Sequence, residues 1–545
     1  MSCNGAEIDD RQDTHSPEGV ESQPSLDGVM EQLSSDEMSD VPETVSRSES
    51  LSNIDEAVNL AEAYKDQGNA DFRSNRYHAA LSSYTIAIET YAYSAVYYAN
   101  RAFCHIRLEN FGLAVADATK ALELDPSYVK AYYRRGAAYL GMGKYNLAVR
   151  DFERVCKIHP KNSQAQVKYK ECKRAATEAA FSRAIESERS LPPSQVMDWR
   201  SIPLPSSYDG PEYPESGITR DFLVQVMEWF RSQKNLPKRY ATRIVLELIE
   251  ILRKEVNVVE VNVAPEEEFI VCGDIHGQYY DLLNIWKMNG YPGPKNRFLF
   301  NGDFVDRGSF SAECALSLFA WKVLDPNFLI LTRGNHESRS MNSIYGFQGE
   351  IIHKYDASVY ELFCEAFCLL PLAALLKGDP SEQNVLVVHG GLFTRDDVTI
   401  AELQTIDRNQ QPPETGLMCE MLWSDPQKDP GRSASRRGVG VSFGPDVTRK
   451  FLQQNDLKLL IRSHEVKDEG YEVECDGQLV TVFSAPRYCD QLENKGAFIR
   501  LNHRLEPKYC SFESVPHPPV RAMSFARPLM QISWRMTFTN KDARR

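Results

Sequence analysis

The 545-residue chain is too long for one hydrophobic core, and ordinary domain sizes divide it into two to four units. Hydrophobic residues make up 42% and charged residues 25%, as in soluble globular proteins, and no run reaches the roughly 18–20 consecutive apolar residues that span a bilayer. The net charge of −14 is concentrated in residues 1–50, which hold 13 Asp/Glu against two Arg; that, with no Lys/Arg run, excludes a general nucleic-acid binder.

The N-terminus has neither secretory nor transit-peptide features. The 12 cysteines lack framework spacing, so reduced thiols and an intracellular (cytoplasmic and nuclear) protein are expected, and a monomer is expected besides. Cys364 and Cys368, at i, i+4, read as a packed core face, because no second Cys/His pair accompanies them.

Residues 1–55 are rich in Ser, Asp, Glu and Pro, so a disordered acidic tail is expected, with a phosphorylated regulatory arm as the alternative. From 61 to 163 a 34-residue repeat appears: Ala80, Ala114 and Ala148; Gly68, Ala102 and Gly136; Ala87, Ala121 and Val155. A helix–turn–helix pattern of that period is the tetratricopeptide repeat, and three copies suffice to bury a continuous core. Residues 164–187 read as a capping helix and 188–217, with six prolines, as a semi-rigid linker.

Helical patterns follow at 218–233 and 237–256. Then apolar runs (FIVCGD, RFLFNGD, FLILTRGN, VLVVHGG, LKLLIRSHE, LVTVFSAP) alternate with helical stretches to about residue 515, each ending in a polar or glycine-rich tip. Such runs are buried strands, and their tips carry the chemistry. Asp274 and His276 stand on one tip, Asp303, Asp306 and Arg307 on the next, then Asn335 and His336, then His389 and His464. This mixture of O and N ligands suits two divalent cations such as Mn, Fe or Zn, which could clamp a phosphoryl group. Asp303 is central enough to bridge them.

In this order and spacing the motifs GDIHG, GDFVDRG and GNHE resemble the phosphoprotein phosphatase family of metallophosphoesterases over 218–515. The resemblance implies an α/β domain with a central β-sandwich flanked by helices. It implies that Asp274, His276 and Asp303 hold one metal and that Asp303, Asn335, His389 and His464 hold the second. It also implies a general acid, His336, oriented by Asp306, and phosphate contacts from Arg307, Arg437, Tyr488 and Asn335. A metal-bound hydroxide would then attack phosphorus in line on phosphoserine or phosphothreonine proteins. Arg487 departs from the family, which shows asparagine there.

In the repeats, Lys65, Asn69, Asn100, Lys130 and Arg134 fall on the first helices of successive units, which line the groove of such a solenoid. They match the dicarboxylate clamp for the C-terminal tail of heat shock protein 90 class chaperones. Repeats, linker and phosphatase together resemble the type 5 serine/threonine protein phosphatase family. That implies autoinhibition by the repeats and by a C-terminal helix within 516–545, with Glu109 as a candidate contact to the phosphate-binding arginines. The alternatives are a small-molecule esterase of the same superfamily, and a co-chaperone scaffold with an inactive phosphatase fold.

Overall fold

The computed structural model describes residues 43–188 and 191–526, with side chains described at 54–181 and 191–526. Three helix hairpins come first: α1 (Glu43–Arg73) with α2 (Tyr77–Thr90), α3 (Ala95–Arg107) with α4 (Phe111–Leu124), and α5 (Val129–Gly141) with α6 (Tyr145–Ile158). Helix α7 (Ser163–Glu188) packs on α6. The small residues of the 34-residue period lie in the seams, where Ala80, Ala114 and Ala148 are fully buried. The period also repeats a polar bracket. Arg101 donates to both Asp117 oxygens at 2.8 Å and to Thr85 Oγ1 at 3.3 Å, and Arg135 does the same to Asp151 at 2.9 Å and Thr119 at 3.3 Å.

Two expected boundaries shift. Helix α1 begins at Glu43, inside the segment read as a disordered tail, because extending a helix by one residue costs far less than nucleating one. The rest of that tail, 1–42, lies outside the described residues. Between 191 and 217 the expected linker is a layer of the catalytic domain. Tyr213 is buried and donates to Glu247, Ser194 donates twice to Glu365, and the Arg243 guanidinium stacks on Trp199 at 4.5 Å. The prolines there need no backbone donors satisfied, and the aromatic residues between them are free to pack.

The catalytic domain is built on a small sheet of order β7 (Asp425–Pro426), β9 (Val441–Phe443), β8 (Arg432–Ala434) and on two large mixed sheets. One has the order β1 (Val258–Asn262), β5 (Ala373–Lys377), β6 (Asn384–Val388), β10 (Leu457–Arg462), β12 (Leu479–Val482), β11 (Tyr471–Glu474). The other has the order β14 (Pro507–Phe512), β13 (Gly496–Leu501), β2 (Glu268–Cys272), β3 (Asn296–Asn301), β4 (Leu329–Thr332). The six apolar runs are β2, β3, β4, β6, β10 and β12. Side chains alternate across them: Phe269, Val271 and Leu299 meet Val385, Val387 and Ile461 between the sheets, while Ile270, Cys272, Phe298 and Phe300 face the helices. β2, β3 and β4 are mutually parallel, as are β6, β10 and β12, and a parallel bridge between Asp274 and Phe483 aligns the two sets, so all six polar tips open at one edge of the sandwich. Cys364 and Cys368 are buried and free, as a core face requires. No helix among the described residues is long and apolar enough to cross a membrane.

The repeated bracket should matter to stability. Asp151→Ala leaves the Arg135 guanidinium, 20% exposed, without its partner. Denaturant unfolding of the full chain should show a loss of about 3 kcal/mol, against less than about 1 kcal/mol for the exposed pair partner Glu123→Ala.

Candidate active site

The tips converge in part because the backbone leaves β2, β3 and β10 through turns that ordinary residues avoid. His276, Asp303, Asp306, Arg307 and His464 all have positive φ, at 46°, 51°, 70°, 68° and 74°. Residues held in that region cluster where surrounding structure forces them and function needs them. Gly334 makes room for this: a Cβ there would stand 2.2 Å from Asp303 Oδ1.

Asp303 lies at the middle. It belongs to two groups whose potential ligand atoms lie within 4.8 Å of one another, His276–Asp303–His336 and Asp303–His389–His464. Its Oδ1 accepts the His336 N–H at 2.8 Å, and its Oδ2 is 3.3 Å from His389 Nε2 and 3.6 Å from His276 Nε2. Asp274 Oδ2 lies 3.6 Å from His276 Nε2, and its Oδ1 accepts the His464 N–H at 3.0 Å. Asn335 Oδ1 stands 2.9 Å from His389 Nε2. The imidazoles are aimed from behind: His276 Nδ1 on the Val305 carbonyl at 2.9 Å, and His389 Nδ1 on the Asn301 carbonyl at 2.7 Å. That leaves each Nε2 facing the cleft.

Electrostatics suit a pair of cations. Burial holds Asp274 up at about 7, with repulsion from Asp303 adding to it, and raises Asp303 as well. Burial drives His276 and His464 well below the usual imidazole range and lowers His389, which suits these three rings to ligation as neutral imidazoles, and burial drives His336 well below that range too. His464 Nε2 is buried with no hydrogen-bond partner. Dry carboxylates, neutral imidazoles and an orphaned ring nitrogen fit hard or borderline divalent ions.

His336 Nδ1 lies 2.8 Å from Asp306 Oδ2. Asp306 is fully buried, accepts from Phe347 N at 2.8 Å and Asn342 Nδ2 at 3.1 Å, and is pushed up to about 7 by burial. The Tyr488 ring sits 5.3 Å from that of His276. Arg437 donates to Asp425 at 2.6 Å and to the His464 carbonyl at 2.9 Å. Arg307 stacks on Tyr345 at 3.7 Å and donates both Nη groups to Glu109 of the repeats, at 2.7 and 2.6 Å. Thus the structure brings together every residue read as metal-ligating or catalytic, and it joins Glu109 to one of the two arginines.

Three residues without an assigned role prove structural to the site. Glu337 accepts from the backbone N–H of Asp303, Phe304 and Gly334, tying two tips together. Asp425 holds Arg436, Arg437 and Arg462 at once, and these cations keep its carboxyl far below the usual range. Asn301 joins β3 to Val388 and Ser463. Only Glu337 had a signal, a carboxylate directly after Gly334-Asn335-His336.

The clamp residues also assemble. Asn69 Oδ1 accepts from Asn100 Nδ2 at 3.3 Å, and Asn100 Oδ1 accepts from Arg134 Nη1 at 3.1 Å. Lys65 and Lys130 lie one turn away on the helices of Asn69 and Arg134, with Lys65 ion-paired to Glu62 and Asp66.

Residues 268–468 match the calcineurin-like phosphoesterase family model, 95–128 and 129–162 match tetratricopeptide models, and 169–260 match the model described as the PPP5 TPR repeat region. The chain is 47% identical to serine/threonine-protein phosphatase 5 of Homo sapiens over 482 residues, covering 88% of this chain and 95% of that protein. It is 46% identical over 474 residues to serine/threonine-protein phosphatase T of Aspergillus oryzae, covering 86% and 98%. A solved protein serine/threonine phosphatase from Saccharomyces cerevisiae superposes with a TM-score of 0.53 at 40% identity, covering 56% of this chain and all of that one.

Removal of the shared carboxylate tests the centre. Asp303→Asn should reduce tightly bound manganese, read by elemental analysis after reconstitution, from two ions per chain to one or none. Retention of two would remove Asp303 from the bridging role.

Proposed function

Since the chain belongs to the serine/threonine-protein phosphatase 5 family, we propose that it is held inactive by its own repeats and recruited through them by an acidic peptide tail. It is a serine/threonine protein phosphatase, with a metallophosphoesterase domain behind tetratricopeptide repeats. The observation that carries the proposal is the bidentate Glu109–Arg307 pair.

A guanidinium fork accepts a carboxylate and a phosphate with the same geometry. In the open enzyme Arg307 and Arg437 would grip the substrate phosphoryl oxygens. Asp274, His276, Asp303, Asn335, His389 and His464 would hold two divalent cations, which supply Lewis acidity and lower the pKa of a water in the cleft. His336, with Nδ1 directed at Asp306, presents Nε2 to the leaving serine or threonine oxygen and delivers its proton. Asp306 fixes the ring and stabilises its protonated form. Tyr488 closes one side against water.

Glu109 occupies the Arg307 fork in the closed chain. It sits at φ 59° on the turn between α3 and α4, which projects its carboxylate into the cleft. A second grip lies beside it. The first turn of α4 donates from Gly112 N to the Arg436 carbonyl at 2.9 Å, and a Cβ at Gly112 would stand 2.4 Å from Gly438 N. The repeats thereby hold the loop that carries Arg437. Residues 521–526 add a third contact: Met523 N donates to the Arg307 carbonyl at 2.7 Å, and Met523 belongs to the same buried apolar cluster as Leu140 and Tyr145 of the repeats. The expected C-terminal helix beyond this strap lies outside the described residues.

The groove of the repeats offers cations and amides at the spacing that a terminal carboxylate and an aspartate would need. A tail ending in Glu-Glu-Val-Asp, as on heat shock protein 90 class chaperones, supplies both. Its engagement would compete with the closed arrangement, and activation would follow from differential affinity for the open state.

Three results are expected. In the full-length chain, Glu109→Gln and Gly112→Val should each raise kcat/KM on a phosphoserine peptide by about tenfold, since each removes a charge-assisted or close backbone contact without touching the centre. Unchanged activity in both would discard the lid. His336→Ala, introduced into the activated chain, should lower kcat by roughly 10²–10⁴. Lys130→Ala should weaken binding of the tail peptide by roughly tenfold or more in calorimetry, and equal affinity would refute the clamp.

A further inference from the structure

The loop after β12 runs Ala485-Pro486-Arg487-Tyr488-Cys489-Asp490 and forms one wall of the cleft through Tyr488. It is braced from behind. Asn494 donates to the Ala485 carbonyl at 3.0 Å and accepts the Tyr488 N–H at 3.0 Å, while Arg487 N donates to the Asn494 carbonyl at 2.8 Å. Gln278 Nε2 donates to the Pro486 carbonyl at 2.8 Å. The brace sets Arg487, Cys489 and Asp490 at φ 47°, 56° and 57°.

Asparagine and glycine enter that left-handed region readily, and arginine does not. A side chain kept there against its preference points to a use for it. The Arg487 side chain is exposed and makes no hydrogen bond or ion pair among the described residues. The other arginines around the centre are paired: Arg307 with Glu109, Arg437 and Arg462 with Asp425, and Arg436 with Glu465. The acid nearest to it in the loop, Asp490, is taken by His517 at 3.0 Å. Arg487 therefore presents an uncommitted charge one residue from the wall of the cleft.

We propose that Arg487 is a specificity-determining residue, selecting phosphoserine and phosphothreonine substrates that carry an acidic side chain beside the phosphorylated one. The Cα atoms of Arg487 and Tyr488 are about 3.8 Å apart, and an extended peptide advances about 3.3 Å per residue. A guanidinium at this place thus lies within reach of the side chains flanking the phosphate. The charge is solvent-exposed, so the preference is modest and salt-sensitive.

The test uses the full-length chain and two matched phosphoserine peptides, one flanked by aspartates and the other by asparagines. The ratio of their kcat/KM values is independent of the fraction of enzyme that is open, because both substrates meet the same population. The wild-type chain should favour the acidic peptide by about two- to fivefold at low salt, chiefly through KM, and less at 0.5 M salt. Arg487→Asn should bring the ratio to about one, and Arg487→Glu should invert it, with p-nitrophenyl phosphate hydrolysed at the wild-type rate throughout. A ratio unmoved by both substitutions, or one that falls only together with hydrolysis of the small ester, overturns the proposal.

Discussion

Four carboxylates and four imidazoles are buried within one cleft, and the rest of the catalytic domain is arranged to make that bearable. Asp274, Asp303, Asp306 and Glu337 each have almost no exposure, and desolvation raises all four above the usual carboxylate range. Isolated buried charges of this kind cost many kcal/mol unless backbone donors, cations or metal ions answer them. Here backbone N–H groups answer some oxygens, as at Glu337, and the remaining oxygens and the His464 ring nitrogen face the place where divalent cations would stand. The left-handed turns after β2, β3 and β10 follow from this demand, because a sharp exit there aims ligands and backbone donors at one point.

The same demand governs the arginines. A guanidinium half-sunk in this cleft wants an anion at all times. Arg437 keeps one permanently, in Asp425, and so remains in position whether or not substrate is bound. Arg307 has no such partner within the catalytic domain among the described residues and takes Glu109 from the repeats. In the proposed closed state the inhibitory contact is thus electrostatic and specific, supported by a glycine-to-backbone approach at Gly112 and Gly438 and by an apolar cluster in which Leu140 and Tyr145 of the repeats join Met341, Ile344 and Tyr345. A cavity of about 1050 Å³ remains between the repeats and the catalytic domain, lined among others by Lys144, His336 and Trp423.

Much of this was legible in the chain because its cues are local. Six strands announced themselves as apolar runs with polar tips, and the 34-residue period located three repeats. Strands β1 and β13 were harder to see: Glu260 interrupts one and Arg500 the other, and both owe their strand conformation to neighbours distant in sequence, β5 and β2. The proline-rich segment 191–217 read as a spacer because composition reports backbone freedom. It does not report that Tyr213 finds a place in the helical core beside Phe222 and Tyr240. Asp425 gave no cue at all, since its importance comes from meeting Arg436 and Arg437 of one loop and Arg462 at the end of β10.

What the amino-acid order determined by itself was the inventory: which ligands, on which strand tips, behind which repeat. Periodicity and motif chemistry act over a few residues, so they survive in one dimension. What only the tertiary structure decided was which charges meet. The joining of Glu109 to Arg307, the sharing of Asp303 between two ligand groups and the bracing of Arg437 by Asp425 each need segments separated by between 12 and 198 residues, or by both strands of a turn, to arrive together. Electrostatic partnership depends on distance and burial in three dimensions, and neither quantity is written in the spacing of residues along a chain.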